Sequence, residues 1–199
     1  TDGGDTEASR DLFAMDTYMT VTAYGKGATE AVVQAADEIS RLDQLLSTGN
    51  EDSEIYKINQ SGDGILSEET AYLVERSLDL YEATDGAFDI AIYPVMKAWG
   101  FTDDNFRVPD ADELKDLLTL TDASDISYDK ETSQIAFKKD GMQIDFGGIA
   151  KGYTSARIMD IFRACGIKSG LVNLGGNVQA LGTKKDGSSW RVAVQDPQD

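Results

Sequence analysis

The chain has 199 residues, 41% of them hydrophobic and 27% charged, and its 36 acids against 18 bases leave a net charge of −18. Such a charge opposes binding to nucleic acid or anionic membrane surfaces and otherwise reads as a solvated, solubilising acidic surface, and no apolar run approaches the roughly 18–20 residues of a membrane span. There is one cysteine, Cys165, and no histidine, which excludes an internal disulfide, a cysteine metal cluster, His-ligated zinc and imidazole acid–base catalysis. Chemistry must come from carboxylates, lysine, hydroxyls, backbone groups or a metal held by oxygens.

Residues 1–11 are polar and glycine-rich without periodicity and read as a flexible tether, leaving 12–199 as one domain. From Phe13 to Tyr24, Met19, Val21 and Ala23 alternate with Tyr18, Thr20, Thr22 and Tyr24, the period of a strand. A long helix follows, with Val32, Ala35, Ile39, Leu42 and Leu46 on one stripe. Ser53 caps a short helical turn, and Ser67 caps a second long helix that stops at Asp85-Gly86. "GAFDIAIYPVMKAWGF" is rich in aromatic and small apolar residues without clear helical spacing, and Asp110 with Glu113 forms a capping box for the next helix.

"SDISYD", "SQIAFK" and "MQIDF" read as a meander of strands, with a hairpin turn at Asp140-Gly141. The helix after "IDFGG" stripes Ile158, Ile161, Phe162 and Cys165, which makes Cys165 a small buried hydrophobe, and Gly166 ends it. "SGLVNLGGNVQALG" and "SSWRVAVQD" suggest another strand pair around Lys185-Asp186-Gly187. Strands and helices mix without βαβ alternation, so the fold class is α+β.

Four stretches carry possible chemistry. Gly147 to Gly152 satisfies G-x-x-x-x-G but continues with Tyr153, unlike a P-loop. It is either a tight strand-to-helix connection or an anion site at a helix start, where Gly147 and Gly148 admit close approach. Lys151 opposes the helix dipole, which favours a bound anion, and Asp145 could accept a hydrogen bond from a polar ring edge or a sugar. Asp89, flanked by Phe88 and Ile90, is either a structural turn acid or a ligand contact. "NLGGN" at a strand end and the polar loop closed by Asn59 complete the set. Together they suggest a pocket for a ligand with phosphate and planar apolar parts.

The ordered motifs "AMDTYMTVTAYG", "ISRLDQLLSTGNEDSEIYKIN", "DGAFDIAIYPVMKAWGF", "IDFGGIAKGYTSARIMDIF", "LVNLGGNVQALG" and "WRVAVQDP" resemble the FAD:protein FMN transferases of the ApbE family, from Phe13 to Pro197. The resemblance implies a T-fold-like α+β scaffold, an antiparallel sheet packed with helices. It also implies an enzyme that cleaves FAD with Mg²⁺, attaches FMN to a threonine of a target redox protein and releases AMP. Members are typically exported and lipid-anchored on the outer face of the inner membrane, which would be this chain's link to a membrane; no nucleic acid is expected.

By the same resemblance Met15 matches a flavin contact, and Ala87, Phe88 and Asp89 match the Ala-Phe-Asp of the FAD site. Asp145 and Lys151 match FAD-contacting positions, the Gly148 carbonyl matches a metal ligand, and Asn59 matches a position that shifts metal number and the balance of transfer against hydrolysis. Lys151 and Asn59 are thereby the candidate catalytic residues. Gly49 stands where the family often has an aromatic residue. The family continues past the position of Asp199 with a His-bearing segment and a helix that complete the Mg²⁺ site, so the stretch from 12 to 199 is expected to lack them. An FAD pyrophosphatase giving FMN and AMP, or a non-catalytic FAD-binding module, are the alternatives.

Overall fold

In the computed structural model, residues 7–194 and 196–198 are described. The chain forms two compact units, Thr1–Asp43 with Lys151–Asp199, and Gln44–Ala150. Each has its own sheet, and that is the physical reason for the division.

The first unit is built on a four-stranded antiparallel sheet in the order β1 (Glu7–Ala14), β2 (Thr17–Tyr24), β6 (Ser169–Leu174) and β7 (Asn177–Leu181). The expected tether is therefore a strand from Glu7 onward, pairing Glu7 with Tyr24 through Ala14 with Thr17; residues 1–6 lie outside the described residues. The stretch from Phe13 to Tyr24 is not one strand but the end of β1, a two-residue turn at Met15-Asp16, and β2. Both turn residues have positive φ, 49° and 56°, the geometry whose twist matches paired strands. The β6–β7 hairpin turns the same way at Gly175-Gly176, where glycine adopts that conformation without steric cost.

On β2 the period-two reading holds: Met19, Val21 and Ala23 are buried. They face a core completed by Val172 and Leu174 of β6, by Val32, Ala35 and Ile39 of α1 (Ala28–Leu46), and by Ile158, Met159 and Phe162 of α6 (Ala150–Ala164). Phe162 is wholly buried, and truncating it to alanine would cost about 3–5 kcal/mol. Cys165 is only half-buried, at the margin of this cluster. After β7 the expected strand from Ser188 does not form, and the described residues 188–194 join no ladder; Lys185-Asp186-Gly187 is a local turn closed by Lys184 and Ser188.

The second unit contains a three-stranded antiparallel sheet in the order β3 (Asp63–Ile65), β5 (Gln134–Phe137) and β4 (Ile126–Asp129). Helix α2 (Glu54–Ser61) starts at Ser53, whose hydroxyl accepts from the Tyr56 N–H. Helix α3 (Glu68–Ala83) follows Ser67, which makes no side-chain cap; its hydroxyl instead meets Thr70 and its N–H donates to Glu54. The aromatic run resolves into a single 3₁₀ turn (Ile90–Ile92) and a short helix, α4 (Tyr93–Ala98), with Pro94 in the first turn, where its missing N–H costs nothing. Asp110 caps α5 (Ala111–Leu118) through the Glu113 N–H, while the Glu113 carboxylate turns away to Arg107.

"MQIDF" is the largest departure from the meander. Residues 142–146 are extended but join no ladder, and Asp140-Gly141 closes no hairpin. Met142, Ile144 and Phe146 are nevertheless buried. Side chains and a distant carbonyl take the backbone hydrogen bonds that a neighbouring strand would have supplied.

Candidate functional site

The second unit gathers most of the residues singled out in the sequence. At the end of α2 the buried Asn59 turns its amide onto the extended segment. Its Nδ2 donates to the Ile144 carbonyl and its Oδ1 accepts from the Ile144 N–H, both at 2.8 Å. One residue on, the Asp145 N–H donates to the Ile90 carbonyl at 2.9 Å. The glycine loop is thus fixed from two sides just before it begins. Asn59 reaches the loop by holding its backbone, and both ends of its amide are used in doing so.

Within the loop, Asp145 Oδ1 accepts from the Gly147 N–H at 2.7 Å, and the N–H groups of Ile149 and Ala150 both point to the Phe146 carbonyl. The N–H groups of Gly147 in the loop and of Ile149 and Ala150 at the helix start are therefore committed within the chain. The glycines are needed for space: a Cβ on Gly148 would stand 2.9 Å from the Phe88 ring, and one on Gly147 would stand 2.7 Å from Asp145 Oδ1. The Phe88 ring lies directly on the loop backbone. Its own N–H is held by the Thr84 hydroxyl at 3.0 Å, and Ala87 beside it is exposed.

Asp89 keeps both oxygens inside the protein. Oδ1 accepts from Ala91, capping the 3₁₀ turn, and Oδ2 accepts from Ala123 at 3.1 Å. Burial pushes its carboxyl above the usual range and the neighbouring Asp122 adds to this, while the two backbone N–H groups pull the other way. The turn-acid reading is thus met in full, and Asp89 sets the position of Phe88 and of Ile90, the residue that anchors Asp145.

In the first unit, Met15 occupies the left-handed hairpin turn. Its N–H donates to Asp43 Oδ1 at 3.0 Å, and its sulfur lies 4.0 Å from the Thr154 hydroxyl in the first turns of α6. Lys151 is half-buried at the start of α6, three residues along the chain from Gly148, and has no ion-pair partner among the described residues. Ser155 on the same helix donates to Asn177 at 2.9 Å.

Asp43, Thr84 and Ala123 were not legible as site residues. Asp43 and Ala123 act on Met15 and Asp89 from 28 and 34 positions away, and Thr84 acts on Phe88 from one helical turn before it. Asp43 lies inside "ISRLDQLLSTGNEDSEIYKIN", but nothing in that motif marks it as a partner of Met15. Among the described residues no group of three or more Asp, Glu, Cys or His side chains comes together in a way that could hold a metal.

An antiparallel α+β scaffold with a buttressed Asp-Phe-Gly-Gly loop running into a helix defines the class. The model of the ApbE family matches residues 15–199, and the chain belongs to the ApbE family. It is 32% identical to an FAD:protein FMN transferase of Treponema pallidum, over 96% of this chain and 58% of that protein. Among solved structures it is similar to the ApbE protein of Thermotoga maritima, with a TM-score of 0.91 and 29% identity over 98% of this chain and 65% of that one. It is also similar to the apo flavinyl transferase ApbE of Pseudomonas stutzeri, with a TM-score of 0.84 and 29% identity over 96% and 66%. The chain therefore spans less than two thirds of the length of these relatives.

Proposed function

We propose that this chain is the FAD-binding portion of an FAD:protein FMN transferase. The observation that carries the reading is the glycine loop: Asp145 is anchored on both sides, Phe88 is pressed against Gly148, and Lys151 follows at the helix start. Such a loop offers a cation to a pyrophosphate, with an aromatic ring beside it for a planar group. In the proposed reaction the hydroxyl oxygen of an acceptor threonine attacks the FMN phosphorus. The bond from that phosphorus to the bridging oxygen breaks, AMP leaves with the oxygen, and the hydroxyl proton passes to a base. Phosphoryl transfer of this kind depends on positioning and charge neutralisation. Lys151 would supply positive charge, and Asn59, Asp89 and Asp145 would hold the loop in shape.

Magnesium enters through the Gly148 carbonyl, the ligand the family resemblance implies. Mg²⁺ asks for octahedral oxygen coordination, and one carbonyl, with no carboxylate cluster among the described residues, does not meet that demand. The acceptor is taken to be a threonine-bearing redox protein at a membrane. Export and a lipid anchor on the outer face of the inner membrane rest on the family resemblance alone. Labelling of the natural precursor with a radioactive fatty acid tests the anchor.

The test of function is incubation with FAD, Mg²⁺ and a threonine-bearing acceptor. Acceptor mass rising by that of FMN, with AMP released, supports transfer. Free FMN and AMP without modified acceptor give the pyrophosphatase, and binding without turnover gives a flavin-binding module.

A further inference from the structure

We propose that Lys97 and Gln143 are positioning residues for the Asp145 loop, closing a circuit of hydrogen bonds through Asn59. The functional half of this proposal rests on the flavin-binding reading above. The segment 142–146 joins no ladder, so its shape depends on discrete ties. One runs from the Asn59 amide to Ile144, the other from the Asp145 N–H to the Ile90 carbonyl just before α4. Gln143 joins them. Its Nε2 donates to the main-chain carbonyl of Asn59 at 3.2 Å, and its Oε1 accepts from the Lys97 ammonium in the last turn of α4. The route runs from α4 through Lys97, Gln143, Asn59, Ile144 and Asp145 and returns to Ile90 in the 3₁₀ turn just before α4.

In a chain with 36 acidic residues, this ammonium is spent on an amide oxygen and on the face of Tyr93, 5.3 Å from the ring centroid. A cation on the amide oxygen polarises the group and strengthens its N–H as a donor, so Lys97 reinforces the grip of Gln143 on Asn59. Gln143 and Asn59 also line an open cleft of about 440 Å³, which leaves the circuit within reach of solvent.

The experiment compares the full chain with K97M, Q143L, Q143E and K97R, reading amide hydrogen exchange at Ile144 and FAD affinity by quenching of flavin fluorescence. K97M and Q143L are expected to speed Ile144 exchange and to weaken FAD binding, each about tenfold, the factor that one net hydrogen bond represents, with Tm nearly unchanged. K97R keeps a donor to Gln143 and should behave as wild type. Q143E keeps the contact with Lys97 but loses the donor to Asn59, so it should exchange like Q143L. Unchanged exchange at Ile144 overturns the circuit, as does K97R failing to restore it. Faster exchange with unaltered FAD affinity overturns the positioning role. If the wild-type chain binds no FAD, the flavin reading falls with the functional half of the proposal, and the exchange data still decide whether the circuit holds the loop.

Discussion

Asn59 and Ile144 exchange two hydrogen bonds, one in each direction, across 85 positions of sequence. A side-chain amide here imitates the edge of a neighbouring strand, and it lets the residues leading to the glycine loop stay extended without a ladder. Asn59→Leu would leave a buried N–H and a buried carbonyl without partners, at about 2–4 kcal/mol. Thermal melting is expected to show a Tm several degrees lower. Asn59→Asp keeps the acceptor but sets a second oxygen against the Ile144 carbonyl, so it should rescue little.

Gly148 and Phe88 share one volume. Gly148→Ala is expected to cost about 1–3 kcal/mol by forcing the ring from its seat. Phe88→Leu in the same chain should return part of that loss, because a smaller side chain vacates the space. A double-mutant cycle with a coupling of about 1 kcal/mol or more would establish the contact; additive losses would refute it.

Asp89→Asn should destabilise the protein, since one of two backbone N–H groups, Ala91 or Ala123, would meet an amide donor in place of an oxygen. The pH dependence has a definite sign. Burial raises the Asp89 carboxyl above its ordinary value of 3.8, so the folded state binds more protons than the unfolded one between 3.8 and the folded value. Wild-type stability therefore falls relative to the variant as pH rises through that window. Melting curves at several pH values should show the gap between them narrowing upward.

Glu38 behaves oppositely. The hydrogen bond from Arg41 holds its carboxyl below the ordinary value of 4.5, with Arg157 on α6 adding to the effect. A depressed carboxylate contributes stability above its unfolded value and loses it as pH falls through the folded one. The advantage of wild type over Glu38→Gln should be full at neutral pH and shrink below about 4.5. An advantage constant down to strong acid would remove the ion pairs from the account.

Much of this architecture is legible in sequence wherever one periodicity governs a whole segment. The α1 stripe of Val32, Ala35, Ile39, Leu42 and Leu46 is buried throughout, and the Ser53 and Asp110 caps form as local chemistry dictates. Legibility fails where a long-range partner replaces a local one. "MQIDF" has the alternation of a strand and the burial of one, yet its partners are the Asn59 side chain and the Ile90 carbonyl, both far back in the chain. Phe13 to Tyr24 hides its turn because Met15 is not a usual residue for that geometry and no glycine accompanies Asp16. The candidate site follows the same rule. The glycine loop stands out by composition, whereas Asp43 and Ala123 act only through the three-dimensional path of the chain.

The two hairpins of the first unit turn in the same left-handed geometry, one on Gly175-Gly176 and the other on Met15-Asp16. A methionine there bears a cost of about 1–2 kcal/mol that glycine would escape. A library randomised at position 15 and screened for thermal resistance alone should drift toward Gly and Asn. The same library screened for flavin capture should keep Met, and the two winners will differ only if the thioether has a task at that turn.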